Sequence, residues 1–338
     1  MKKLYGIVAA AMMLSSCSGA EQNEKVSRSV FAMDTYMTLM AYGDNAGEAL
    51  DAAVVRIQEL EAKWSVTDSG SEIYKADRSP GQPIAVSAET AELVAFGIDM
   101  NNKTGGALDI SIYPVLKEWG FTTGSYKVPT DERIAELLEN VGASRVTVSG
   151  SEITVPEGMM IDLGSVAKGA AADKVCEQLR EAGVASALLD LGGNVQAVGS
   201  KPDGSKWKIG IRDPHGEGTV GTLSIENKAV VTSGGYERFF TENGNTYHHI
   251  MDPSTGRPAE SGLLSVTVVG ESGRYCDALS TSLFVMGAEK AEEFWRNENK
   301  GFDYIIITED AGLLITKGIS DDFITSSGRG DLKVTVVE

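Results

Sequence analysis

The chain has 338 residues, 42% of them apolar, with 38 glycines and nine prolines, enough for one large domain or two medium ones rich in turns. Its formal net charge of −18 argues against a nucleic-acid partner, because nothing would offset phosphate repulsion. An acidic surface leaves room for a phosphorylated ligand, which a local lysine or a metal can hold.

The N-terminus reads MKKLYGIVAAAMMLSSC, with two lysines, an apolar run from Leu4 to Leu14, then Ser15, Ser16 and Cys17. That run is too short to span a bilayer and reads as a signal peptide. Small residues before a cysteine resemble a bacterial lipoprotein cleavage box. Residues 1–16 are then removed and Cys17 becomes the lipidated first residue; an ordinary signal peptide with an incidental cysteine is the alternative. Cleavage takes Lys2 and Lys3 and no acids, so −18 becomes −20. Residues 18–28 are polar and read, with Cys17, as a lipidated flexible tether, leaving 29–338 as the folded domain.

Val30 to Tyr42 is rich in strand formers. Asn45 to Trp64 places Ala49, Ala53, Ile57, Leu60 and Trp64 near one helical face. Ser87 to Asn102 reads as a helix capped by Ser87, and Pro129-Thr130 opens another that runs to Asn140. Residues 145–162 read as two short strands around Ser149-Gly150-Ser151. A helix from Ser165 to Ala182 precedes SALLDLGGN, a strand stopped by two glycines. Residues 206–270 are mostly strands, Tyr275 to Asn297 is helical, and YIIITEDAGLLITKGI is a hairpin. Strands and helices mixed without steady alternation indicate an α+β fold. Cys176 and Cys276 fall in predicted helices and read as small buried side chains, since two such distant thiols make no metal motif.

Four stretches carry polar residues in suggestive places. IDLGSVAKGAAADKV, from Ile161, brings Lys168 into the first turn of a helix, where free N–H groups favour phosphate; a small-residue packing face with a surface lysine is the alternative. In YCDALSTSLFVMG, Asp277 and Thr281 share a helical face, which suits a hard cation such as Mg²⁺ or a capping role. VVTSGGYERFF and GGALD join glycines to hydroxyl or carboxylate groups; the first reads equally as a plain hairpin turn, and the second leaves Asp109 free to hold a ligand hydroxyl. TYHHIMDPSTGRP holds two of the chain's three histidines, but neighbours on a strand point to opposite faces, so a two-histidine metal site is disfavoured. At most one of them does chemistry.

In order, FAMDTYMTL, GGALDIS, DLGSVAKGAAAD, LLDLGGN, TSGGYERFF, YHHIMDPSTGRP and CDALSTSLFVMG resemble the bacterial FAD:protein FMN transferases, the ApbE-type lipoproteins, over about residues 30–290. The resemblance implies an α+β fold with FAD in a cleft between a larger and a smaller subdomain. It implies Mg²⁺-dependent transfer of FMN from FAD to a Thr or Ser hydroxyl of an acceptor protein, with release of AMP. The acceptor would belong to an extracytoplasmic electron-transfer or ion-pumping complex, with the enzyme anchored in the membrane through Cys17 and facing the periplasm or cell exterior. By position, Asp277 and Thr281 match side-chain metal ligands and Ser165 a backbone-carbonyl ligand. Met33, Trp64, Ala107, Leu108, Asp109, Asp162, Lys168 and Ile250 match FAD-contacting positions, Ile250 through its backbone. His249 matches the base or orienter for the attacking hydroxyl, with Lys168 assisting. The alternatives are an FAD pyrophosphatase using the same site and a non-catalytic flavin-binding lipoprotein.

Overall fold

The computed structural model describes residues 24–299 and 301–338. Cys17, the signal peptide and most of the expected tether lie outside the described residues. The chain opens as a hairpin of β1 (Lys25–Ala32) and β2 (Thr35–Tyr42). The tether expected through residue 28 therefore ends earlier. Lys25 to Arg28 pair with Tyr42 to Leu39, because a strand partner satisfies their backbone groups.

Helix α1 (Ala46–Trp64) buries Ala46, Ala49, Leu50, Ala53, Ile57, Leu60 and Trp64, the stripe read from the sequence. The short α2 (Glu72–Asp77) and the two-residue β3 (Ile84–Ala85) follow. Helix α3 (Ala88–Lys103) begins where the Ser87 side chain accepts the Thr90 N–H. Then come α4 (Tyr113–Glu118) and α5 (Asp131–Leu138), the latter capped by Thr130 as expected. The strands β4 (Thr147–Ser149) and β5 (Glu152–Thr154) form the expected hairpin, but residues 155–162 are irregular, not strand. Val155 O accepts the Gly81 N–H instead, and the Ile161 and Asp162 amides donate to Asp77 and Ile110.

Helix α6 (Ala167–Glu181) leads to β6 (Ser186–Leu191), β7 (Asn194–Val198), β8 (Trp207–Arg212), β9 (Thr219–Ile225) and β10 (Ala229–Gly234). Two small hairpins follow, β11 (Phe239–Glu242) with β12 (Asn245–His248), and β13 (Met251–Asp252) with β14 (Arg257–Pro258). After β15 (Leu263–Gly270) the expected helical stretch forms two helices, α7 (Gly273–Met286) and α8 (Ala288–Asn297). Gly287 divides them at φ 78°, a left-handed conformation that ends a helix. The chain finishes with β16 (Asp303–Thr308), β17 (Gly312–Thr316), α9 (Lys317–Ser320), β18 (Phe323–Thr325) and β19 (Lys333–Val337).

Nine strands form one sheet in the order β1-β2-β6-β7-β10-β15-β16-β17-β19, antiparallel except for the parallel β17–β19 pair. Alternation splits its side chains between two cores. Leu39, Leu189, Val231, Val268 and Ile306 face the helices α1, α6 and α7. Val230, Val269, Ile305 and Ile307 face a second sheet of order β18-β9-β8. A smaller third core gathers Val115, Trp119, Phe121, Ile134, Leu137 and Met251, with Trp119 Nε1 donating to Gly256 O at 2.9 Å. The larger and smaller bodies expected of the α+β fold are thus present. Cys176 and Cys276 are free and buried, and burial pushes the Cys176 thiol up to about 12.

Helices α6 and α7 cross at two glycines. A Cβ on Gly169 would lie 2.2 Å from Gly273 O and 2.7 Å from Asp277 Cβ. Gly169→Ala therefore has to force the helices apart. We expect a loss of about 1–3 kcal/mol, read as a lowered Tm in thermal unfolding; an unchanged Tm would contradict this account of the crossing.

Candidate active site

A cleft of about 750 Å³ opens between the main body and the smaller core. Thr232 and Ser233, adjacent on β10 and so on opposite faces of the sheet, both line it. The cleft therefore wraps around the end of that strand. Met33, Trp64, Ala107, Leu108, Asp109 and Asp162 line it, as do Ser165, Lys168, His249, Ile250, Asp277 and Thr281. Every described position matched to a metal, FAD or catalytic role is thus brought to this one place.

The approach to α6 is held residue by residue. Ile161 N–H donates to Asp77 Oδ1 at 2.9 Å, and Asp162 N–H to Ile110 O at 2.7 Å. Asp162 Oδ1 then accepts the Gly164 N–H at 2.6 Å, which turns the chain into the helix. Withdrawal from water pushes the Asp162 carboxyl up, against the Gly164 amide and the charges of Arg238 and Lys168. Lys168 is the second residue of α6, its Nζ 3.5 Å from Gly164 O. The Gly169 N–H lies in the first turn, where it has no partner in its own helix. It donates instead to Asp277 Oδ2 at 2.8 Å.

Asp277 is 4% exposed, and burial pushes its carboxyl up, opposed by Lys168, by the Gly169 amide and by Asn194. One turn along α7, Thr281 Oγ1 lies 3.3 Å from Ser233 Oγ, which is also 2.8 Å from Ser280 Oγ. A buried carboxylate beside hydroxyls suits a hard cation that keeps some waters. Among the described residues no cluster of three or more His, Cys, Asp or Glu is placed to hold a metal.

On the far wall, Met33 and Asp34 form the β1–β2 turn with φ 49° and 58°, unfavourable for non-glycine residues. Met33 N–H donates to Glu61 Oε1 at 2.6 Å, which anchors this strained turn at the cleft. Trp64 is nearly buried, with Nε1 donating to Thr90 Oγ1 at 3.1 Å. Asp109 departs from expectation. Its Oδ1 accepts the Ser111 amide at 2.8 Å and hydroxyl at 2.6 Å, and its Oδ2 accepts from Asn101 and Ala143, each at 3.1 Å. A carboxylate buried this deeply recruits protein donors, so it is not free to hold a ligand hydroxyl. Ile250 lines the cleft at a break between β12 and β13, its N–H donating to His248 Nδ1 at 3.3 Å and its carbonyl accepting the Ala259 N–H at 2.9 Å, which leaves that oxygen a second lone pair.

The two histidine rings do diverge. His248 packs edge-on to Phe284 at 5.4 Å, whereas His249 turns into the cleft 6.3 Å from Phe121. His249 Nδ1 lies 3.2 Å from Arg238 O. A carbonyl only accepts, so Nδ1 carries the hydrogen and the Nε2 lone pair is open. Burial, with the Arg238 guanidinium adding, pushes this ring down to about 3, so it is neutral at pH 7. Sequence reasoning assigned no role to Arg212, Tyr236, Glu237 or Arg238, which also line the cleft. The last three lie inside the quoted TSGGYERFF motif and were open to assignment from it.

A concave site with a few convergent polar groups defines a small-molecule-binding protein of α+β architecture. Residues 33–306 match the model of the ApbE family. The chain is 33% identical to the FAD:protein FMN transferase of Haemophilus influenzae, covering 95% of this chain and 97% of that one. It is 32% identical to that of Treponema pallidum, covering 91% of each. Among solved structures, the ApbE protein of Thermotoga maritima superposes with a TM-score of 0.80 at 31% identity, covering 90% of this chain and 97% of the other. The apo flavinyl transferase ApbE of Pseudomonas stutzeri gives 0.77 at 28%, covering 90% and 95%. This chain belongs to the ApbE family.

Asp77, which holds the Ile161 amide, has an unpartnered Oδ2, and burial pushes its carboxyl up to about 7. Its unfolded value is about 4. Between these values the folded state binds the extra proton, so the cost of ionising Asp77 grows as pH rises and is complete above about 7. Asp77→Asn is expected to gain Tm relative to the native chain as pH goes from 5 to 8. A Tm difference independent of pH would refute this.

Proposed function

We propose that this chain transfers FMN from FAD to a Ser or Thr hydroxyl of an acceptor protein through a phosphoester bond, releasing AMP. The observation that carries the reading is the convergence on one cleft of motif residues running from Met33 to Thr281 in the sequence. The acceptor oxygen attacks the phosphorus on the FMN side of the pyrophosphate. A P–O bond to that oxygen forms, the P–O bond to AMP breaks, and the bridging oxygen leaves with AMP.

His249 Nε2 takes the hydroxyl proton, with Nδ1 held by Arg238 O. Its low proton affinity belongs to the ligand-free cleft; the negative pyrophosphate raises it when FAD binds. Lys168 and the first turn of α6 stabilise charge developing on the phosphates. The donors fit a magnesium ion, because Asp277 is a carboxylate removed from water with Lys168 as its main opposing charge. Asp277, Thr281 and the Ser165 carbonyl would hold the ion, which supplies neutralisation of the pyrophosphate. The N-terminal sequence supports export and lipidation at Cys17, and the family resemblance supports an acceptor in an extracytoplasmic electron-transfer or ion-pumping complex. No helix among the described residues is long and apolar enough to cross a membrane.

The test combines purified chain, FAD, Mg²⁺ and a candidate acceptor. In-gel flavin fluorescence on the acceptor supports the transferase. AMP release without labelling points to a pyrophosphatase, and tight FAD binding with neither overturns the enzyme reading. Asp277→Ala should lower turnover on the order of 100-fold or more; unchanged turnover at limiting Mg²⁺ would remove Asp277 from the site. His249→Ala should lower kcat about 100-fold with little change in FAD affinity. A large rise in the FAD dissociation constant at unaltered kcat would make His249 a binding residue.

A further inference from the structure

The expected FAD contacts leave one arm of the cleft unassigned. Met33, Trp64, Leu108 and Ile250 pack into the core on the helix side of the central sheet. The cleft continues around β10 to the opposite side, where Ile209, Gly210, Ile211 and Arg212 of β8 form its wall. Successive strand residues point to opposite faces, so four in a row on one cavity mean that the strand's edge faces it.

β8 is the edge strand of its three-stranded sheet. Its hydrogen-bonding phase follows from the far side of β9. Ser224 N–H donates to Asp322 O, and Val220 O accepts the Ser326 N–H, so residues 220, 222 and 224 face β18. Gly221, Leu223 and Ile225 therefore face β8, opposite Ile211, Ile209 and Trp207. Lys208 and Gly210 consequently aim N–H and C=O at the open edge. Arg212 does the same, because Asp213 N–H, the next residue, donates to Gly218 O across the hairpin.

We infer that the acceptor segment carrying the reactive hydroxyl binds in extended form as an added strand along β8, with Arg212 as its side-chain anchor. This rests on the transferase reading, which requires a polypeptide to enter this cleft. Open strand edges are ready templates for such pairing. The arm is continuous with the chemistry, since Thr232 and Ser233 line the turn between its two sides and Ser233 Oγ is 3.3 Å from Thr281 Oγ1. Arg212 is exposed, and its guanidinium lies 5.0 Å from the centre of the Tyr236 ring, which orients it for carbonyl or carboxylate oxygens of the segment. The ion pair of Arg329 with Asp213 fixes the end of the strand.

The experiment uses the full chain with FAD and an acceptor domain that it labels, as seen by in-gel flavin fluorescence. The labelled hydroxyl residue of that domain is replaced by valine for binding studies. Amide exchange at Lys208, Gly210 and Arg212 should slow about tenfold in the complex, while Ile209 and Ile211, already bonded to β9, change little. Arg212→Glu should raise the acceptor KM about fivefold or more and move the FAD dissociation constant less than twofold. A complex that forms with β8 exchange unchanged overturns the inference, as does an equal effect of Arg212→Glu on FAD and acceptor. AMP release with no protein labelled would instead overturn the transferase reading, and the inference with it.

Discussion

The geometry of the site depends on the crossing of α6 and α7. Two glycines let the helices touch at backbone distance, and the Gly169 amide donates directly to Asp277. Asp173, on the same helix, accepts from Ser272 Oγ and from the Gly273 and Arg274 amides, which caps α7 at its start. A further bond from Gln196 ties Asp173 to β7. Lys168 and the Asp277–Thr281 face therefore belong to one braced unit. A buried carboxylate is costly unless its hydrogen bonds and charges are in place. Here they are supplied by the neighbouring helix, so the crossing and the site are a single construction.

The central sheet then decides what the site can reach. Its middle strands are buried on both faces, by helices on one and by a small sheet on the other. A cleft at the end of β10 has access to both. Lys168 and Arg238 line it beside Asp162, Glu237 and Asp277, so the cleft presents charges of both signs close together. The smaller core supplies the outer wall through Phe121 and the strand break that presents His249.

Much of this was legible before folding. Helical stripes, caps at Ser87 and Thr130, and glycine stops predicted the main elements. The ordered motifs picked out residues that do meet in one cleft. The departures share a cause: each involves a group whose partner is remote in the chain or hidden from periodicity. Asp109 looked free because Asn101, Ser111 and Ala143 were not known to surround it. The residues Lys25 to Arg28 looked like a tether because their strand partner lies on the far side of a turn.

The sequence by itself determined the fold class, the helix caps at Ser87 and Thr130, the divergence of the two histidines and the motifs that meet in the cleft. These follow from local propensity, side-chain periodicity and motif order, all of which are properties of neighbours in the chain. Only the tertiary structure decided which polar groups remain available for chemistry. It satisfies Asp109, places the hydrogen of His249 on Nδ1, and leaves the edge of β8 open along the cleft. Availability depends on which hydrogen-bond partners arrive from elsewhere in the chain, and that is settled by packing.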